Sequence, residues 1–329
     1  SGLNVPLIVY IPEKFKHLRP QEYVTGGSTD RLVGFIDLAP TLLSLVNIQP
    51  PSHMQGFAFL GAYEAPSQDY LFGFRGRMDE RYDMVRSVRN SRYIYIRNYM
   101  PHKIYGQYLD YMFQTPTTRE WRRLYDEGLL TAPQTYFWEP KPTEELYDLE
   151  NDPDEVKNLA ESSDHQNILR RLRKAQQELA YKIRDLGFLP EDEIHSRPKG
   201  MTPYELGHSE KDYPLKTIMA VADLAISPGH NILSRLQSEL ANNRDSAARY
   251  WAALGILMQG KRGVESAGEE LHKALTDPSP SVRVICAQAL GQFGSENDLE
   301  TALPVLLNLS SLDGNNLYIA MLALNALDA

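Results

Sequence analysis

The sequence predicts an α/β layer carrying a small antiparallel sheet, followed by a helical repeat region. Three observations predict it. The first 65 residues read as strand, loop and helix. From about residue 66 come short aromatic and β-branched stretches parted by turn residues. After residue 215 the chain is Ala/Leu-rich, and one helical pattern returns after 34 residues. A chain of 329 residues has room for about two ordinary domains. The changes of texture divide it at 1–65, 66–214 and 215–329.

Val5 to Ile11 is a near-continuous apolar run ending at Pro12, the pattern of a strand buried on both faces. Leu32–Phe35 is a second short extended candidate. Asp37 stands where an N-cap belongs, with a helix expected over Leu38–Val46 and Pro40 in its first turn. Asn47 can close that helix in the left-handed conformation.

Asp69–Phe74, Tyr82–Arg89 and Arg92–Arg97 read as strands, with Asn90-Ser91 as a hairpin turn. A short helix is expected near Thr118–Glu127, inside a polar and aromatic stretch. Glu145–Leu149 makes a further strand, and Asn151-Asp152-Pro153 a turn. Ile168, Leu172, Ala175, Leu179, Ile183 and Leu186 keep a 3–4 spacing, which predicts a helix over His165–Leu186 ending at Gly187. Residues 188–214 hold four prolines and read as an extended connector. Beyond them Arg249-Tyr-Trp-Ala-Ala-Leu-Gly aligns with Arg283-Val-Ile-Cys-Ala-Gln-Ala, and the same step lands on Leu317. Second helices follow at about 264–276 and 298–309.

A net charge of −9 argues against nucleic acid and anionic membranes as partners. Cys286 is the one cysteine, so neither an internal disulfide nor a Cys-based metal site can form. No apolar run approaches the roughly 20 residues of a membrane span.

No complete catalytic constellation is present: no His pair at metal-binding spacing, no phosphate loop, no nucleophile elbow. No catalytic residue and no metal ligand is therefore assigned. One loop stands out, from Gly73 to Asp83. It gathers Arg75, Arg77 and Arg81 with Asp79, Glu80 and Asp83. Guanidinium forks suit sulfate, phosphate and carboxylate alike. Two readings stay open: an internal salt-bridge cluster, or part of a pocket for an anionic substrate. His102, after Asn98-Tyr99-Met100-Pro101, could join that pocket.

Gly2-Leu3-Asn4-Val5-Pro6-Leu7-Ile8-Val9 resembles the sulfatase segment that follows the last active-site lysine. Asp30–Val33 through Asp37-Leu38-Ala39-Pro40-Thr41-Leu42-Leu43 resembles the D-x-x-P-T-L-L helix of that family. Met84–Asn98 is similar to its C-terminal hairpin, and Glu144–Leu159 to its E-L-Y-D-L…D-P-x-E-x-x-N-L strand and turn. These motifs run in family order over about residues 1–205, nearest to the N-sulfoglucosamine sulfohydrolase-like bacterial sulfatases. Asp277–Arg283 resembles the Asp…Val-Arg signature of HEAT repeats.

The resemblance implies the C-terminal portion of an alkaline-phosphatase-like α/β core with a small antiparallel subdomain, then an α-helical HEAT-like repeat domain. It implies hydrolysis of sulfate esters or sulfamates of a sulfated glycan by an exported or periplasmic enzyme. The formylglycine nucleophile and calcium site of such enzymes would lie upstream, so this chain would bind neither cofactor and would be inactive alone. Arg75, Arg77, Asp79, Glu80, Arg81 and His102 become candidates for gripping the sugar around the sulfate. The alternatives are a phosphatase or phosphodiesterase of the same superfamily, and a non-catalytic protein whose HEAT-like repeats hold a protein partner.

Overall fold

The computed structural model describes residues 5–20, 22–229 and 231–329. It has two units whose segments alternate along the chain. The first comprises the described residues of Ser1–Phe74, Arg86–Arg97 and Glu144–Gln176; the second comprises those of Arg75–Val85, Asn98–Thr143 and Gln177–Ala329.

In the first unit the expected strand at Val5–Ile11 forms no ladder; Ile8 is 89% and Tyr10 75% exposed. A strand needs a neighbour to take its N–H and C=O groups, and among the described residues none pairs with this segment. The first helix, α1 (Leu38–Leu45), forms as expected, and Asn47 ends it with φ 59°. Asp37 does not cap α1 through its side chain. Its buried carboxylate instead accepts the N–H of Gly34 (2.8 Å), the N–H of Phe57 (2.7 Å) and the side-chain amide of Gln68 (3.0 Å). One carboxylate thus pins three separate points of the chain around the helix entry.

Four strands, β1 (Leu71–Arg75), β2 (Val85–Arg89), β3 (Tyr93–Asn98) and β4 (Glu144–Asp148), form one sheet in that order. Asn90 makes the β2–β3 turn by accepting the N–H groups of Arg92 and Tyr93 at 2.9 and 2.6 Å. β4 runs antiparallel to β3, with Tyr95 opposite Leu146. The long stretch between β3 and β4 contains α2 (Asp110–Phe113) and α3 (Pro116–Asp126).

After β4, Asn158 extends the sheet edge. Its side chain accepts the Leu146 N–H at 3.0 Å and donates to the Glu144 carbonyl at 3.0 Å. The helix α4 (Gln166–Ile183) follows, and its Leu169 and Leu172 pack with Val88, Tyr95 and Leu146. α4 stops before the expected Gly187, because Arg184 takes the left-handed conformation (φ 56°). The Arg184 guanidinium makes that affordable by donating to the carbonyls of Gly207 (2.6 Å) and Tyr213 (2.8 Å).

The second unit contains most of the helices. The expected extended connector holds two short ones, α5 (Glu191–Ser196) and α6 (Pro203–Gly207). Then come α7 (Leu215–Ala225), α8 (Ile232–Asn242), α9 (Ser246–Met258), α10 (Gly260–Ala274), α11 (Pro280–Phe293), α12 (Glu296–Ser310) and α13 (Leu317–Leu327). The 34-residue step therefore corresponds to α9, α11 and α13, each the first helix of a pair where a second follows. Gly255 is required by packing: a Cβ there would lie 2.9 Å from the Ala225 Cα and from Leu236.

α5 ties these repeats together. Glu193 accepts hydroxyl donors from Ser246, in the first turn of α9, and from Ser279, just before α11, both at 2.9 Å. Asp192 accepts from Ser281 of α11. His195 stacks on Tyr318 of α13 with ring centroids 4.7 Å apart. Burial pushes the Asp192 carboxyl up to about 6, with the Ser281 hydroxyl opposing and Glu193 reinforcing. The folded group thus holds its proton above its ordinary value of 3.8, and stability declines as pH rises from about 4 through about 6. Asp192→Asn, which keeps an acceptor oxygen but cannot ionise, should stabilise the fold by about 2 kcal/mol at pH 7.5. That gain should vanish at pH 4, which urea melts at both pH values will check.

Candidate functional site

The loop that carries the arginines lies in the second unit. Met78 and Arg81 exchange backbone hydrogen bonds of 2.7 and 2.9 Å, closing a tight turn in which Asp79 has φ 46°. The turn sends its three arginines apart. Arg77 donates from Nε to both oxygens of Glu191 (2.7 and 2.6 Å), and its Nη2 also pairs with that carboxylate. Its guanidinium lies 5.8 Å over the Tyr82 ring. Arg81 donates to the Tyr108 carbonyl (2.9 Å), Asn325 Oδ1 (2.7 Å) and Asp328 Oδ2 (2.5 Å). Arg75 lies 3.8 Å from Asp83.

The acids of the loop are used differently. Glu80 Oε1 accepts the N–H of Asp110 at 3.3 Å, and its carbonyl accepts from Asn325 at 2.7 Å. The Asp79 carbonyl accepts from Arg77 at 3.3 Å. Of the six residues singled out in the sequence, Glu80, Arg81 and His102 line one cleft of about 1070 Å³; the other three do not line it. Helices α9, α11 and α13 supply its far wall through residues such as Leu254, Gln288 and Leu322.

At and behind the near wall lies chemistry the sequence did not signal. Asp83 is buried and pairs with buried Lys141. Lys103 donates to the Tyr82 carbonyl at 3.0 Å. Burial brings Lys103 down to about 8; Asp83 opposes that shift, while Lys141, Arg77 and Arg81 add to it. His102 is lowered to about 3, first by burial and then by Lys103 and Lys141, so its imidazole is neutral at physiological pH. Both ring nitrogens of His102 and the amide nitrogen of Gln107 are shut off from water with no hydrogen-bond partner. Lys103, Gln107 and Lys141 sit in an aromatic, Pro-punctuated stretch with no recognisable spacing. The one available signal is the adjacency of Lys103 to His102.

Among the described residues no group of three or more His, Cys, Asp or Glu is placed to hold a metal ion. No helix among them is long and apolar enough to cross a membrane.

Comparison with known proteins finds relatives for both parts of the chain. Residues 233–327 match the HEAT repeats family. The chain is 40% identical over 195 residues to an ulvan-active sulfatase of Formosa agariphila, covering 59% of this chain and 31% of that protein. A second ulvan-active sulfatase of the same organism is 28% identical over 179 residues, covering 53% and 32%. The chain spans about a third of the length of these curated relatives. Among solved structures it is similar to a 2-O GAG sulfatase at 22% identity, with a TM-score of 0.32 over 48% of this chain and 27% of that one. The resemblance to sulfatases and to HEAT repeats is thus borne out, as is the order of a small antiparallel sheet followed by helical repeats.

Replacing Arg77 with Ala leaves the Glu191 carboxylate without its partner. The cost should be about 2 kcal/mol of unfolding free energy, read as a shift in urea midpoint at constant slope. A midpoint within error of the wild type would mean that the pair contributes nothing.

Proposed function

We propose that this chain is the C-terminal part of a sulfatase acting on a sulfated glycan, with its nucleophile and metal supplied from outside the chain. The observation that carries this reading is the 40% identity over 195 residues to an ulvan-active sulfatase, together with four motifs in family order. A sulfated polysaccharide such as ulvan is the substrate class that those relatives' names suggest. Calcium and formylglycine belong to the same reading and are assigned to no residue here. Export to the periplasm or beyond the cell fits a polymeric substrate.

The exposed apolar side chains of the first unit support a chain with further partners in its own protein. Ile8, Phe35 and Val24 are 89%, 83% and 70% exposed, and Leu42 and Val46 are 66% and 65% exposed on α1. Side chains of this kind are ordinarily buried. We assign their cover to the remaining α/β core of the parent protein.

Within this reading Arg75, Arg77, Asp79, Glu80, Arg81 and His102 form the substrate-side group. Glu191 and Asp328 then orient the guanidinium groups of Arg77 and Arg81 rather than replace a substrate. The HEAT repeats offer a surface to a protein partner.

The parent protein should release inorganic sulfate from ulvan, as ion chromatography would detect, and the 329-residue chain alone should release none. Release of phosphate from aryl phosphates without sulfate release would instead identify a phosphatase. Arg77→Glu in the parent should raise KM about tenfold or more, equivalent to roughly 1.4 kcal/mol of lost binding. An unchanged KM would remove Arg77 from the substrate-side group.

A further inference from the structure

The cleft walled by residues 99–113 and by α9, α11 and α13 has Lys103 in its lining. Asp83, outside that lining, pairs with Lys141 and lies 3.8 Å from Arg75. Lys103, which faces the cleft, has a carbonyl for a partner rather than an acid. A cation desolvated without a counter-ion costs free energy, and an anion brought to it recovers part of that cost. The carboxylates on the same cleft, Glu80 and Asp328, are already engaged by the Asp110 N–H and by Arg81.

The same cleft is lined by His102 and Gln107, whose ring nitrogens and amide nitrogen have no hydrogen-bond partner. The neutral imidazole offers one donor and one acceptor, and the amide offers donors. Together these suit hydroxyl groups, which both give and accept. Tyr108 is half exposed and stacks on Phe113 at 4.6 Å, which supplies an aromatic face beside them.

We propose that this cleft binds an acidic saccharide unit. Its anionic group pairs with Lys103, its hydroxyls with His102 and Gln107, and its ring lies against Tyr108 and Phe113. The saccharide class rests on the sulfatase reading, whereas the anion-plus-hydroxyl chemistry rests on the cleft alone. Sulfate and carboxylate satisfy Lys103 equally well.

Titration calorimetry on the 329-residue chain tests this. The ligands are ulvan oligosaccharides, the same oligosaccharides desulfated but keeping their carboxylates, and neutral cello-oligosaccharides. At least one acidic set should bind, and the neutral set should bind tenfold more weakly or not at all. Binding of only the sulfated set assigns sulfate to Lys103; binding of both acidic sets assigns carboxylate.

Lys103→Met should abolish the preference for acidic over neutral ligands. His102→Phe removes two unpaired nitrogens at little cost in volume, so it should leave the melting temperature unchanged or raised while weakening binding tenfold. Affinity should fall between pH 7 and pH 9.5 in the wild type, as Lys103 loses its proton near 8, and should hold over that range in Lys103→Arg. Wild-type affinity in both Lys103→Met and His102→Phe, or neutral ligands binding as tightly as acidic ones, would overturn the assignment. Because binding is read without turnover, it separates failure here from failure of sulfate release by the parent.

Discussion

Two adjacent carboxylates on a six-residue helix hold the repeat region in register. Glu193 and Asp192 of α5 accept hydroxyl donors at the starts of α9 and α11. Arginine and aspartate continue the ladder. Arg197 pairs with Asp245, the residue that caps α9, at 2.9 and 3.0 Å. Arg249 of α9 then pairs with Asp277 at 2.7 and 2.8 Å, and Asp277 accepts the Ser279 N–H that leads into α11. Each repeat is thereby tied to the next and to α5. Small residues alone let helices slide past one another; hydroxyl-to-carboxylate bonds at fixed positions do not. Trp251 adds a third fixed point by donating to the Phe188 carbonyl at 2.8 Å.

The same unit pays little heed to the linear order of the chain. Residues 75–85 and 98–143 belong with the repeats, whereas the strands between them belong to the sheet unit. The Gly73–Asp83 loop can therefore donate Arg77 to Glu191 and Arg81 to Asp328, more than a hundred residues away in each case. Neither pair could be inferred from local spacing. A guanidinium accepts a carboxylate fork wherever the chain delivers one, and delivery is decided by the packing of distant helices.

Local chemistry was legible and long-range chemistry was not. The hairpin turn at Asn90, the left-handed Asn47 and the repeat helices were all readable, because each depends on a few consecutive residues or on one period. The closing motif also has a local explanation. Asp152 accepts the N–H groups of Val156 and Lys157, and Asn158 then fastens the loop to β4 from both sides. Two of the readings that differed did so because of residues elsewhere in the chain. Asp37 looked like a helix cap, but the return of Phe57 and Gln68 gave its carboxylate other donors. Gly187 looked like a helix stop, but the carbonyls of Gly207 and Tyr213 let Arg184 turn the chain three residues earlier.

Charge density along a sequence is a poor guide to where charge remains available. The arginine-rich loop drew attention because cation and acid alternate there, and that alternation allows most of its charge to be consumed internally. Arg77 and Arg81 each find an acid, and Arg75 lies beside Asp83. Lys103 drew none, since it stands alone between His102 and Ile104 in an aromatic stretch. Asp83 pairs directly with Lys141, while Lys103 donates to a carbonyl and feels Asp83 only through space. A buried cation with a neutral partner retains most of its capacity for an anion, whereas a guanidinium closed on a carboxylate must first break that pair. For that reason Lys103, with His102 and Gln107, can take an anion without first breaking an internal pair, whereas Arg77 and Arg81 take one only alongside the acids that orient them.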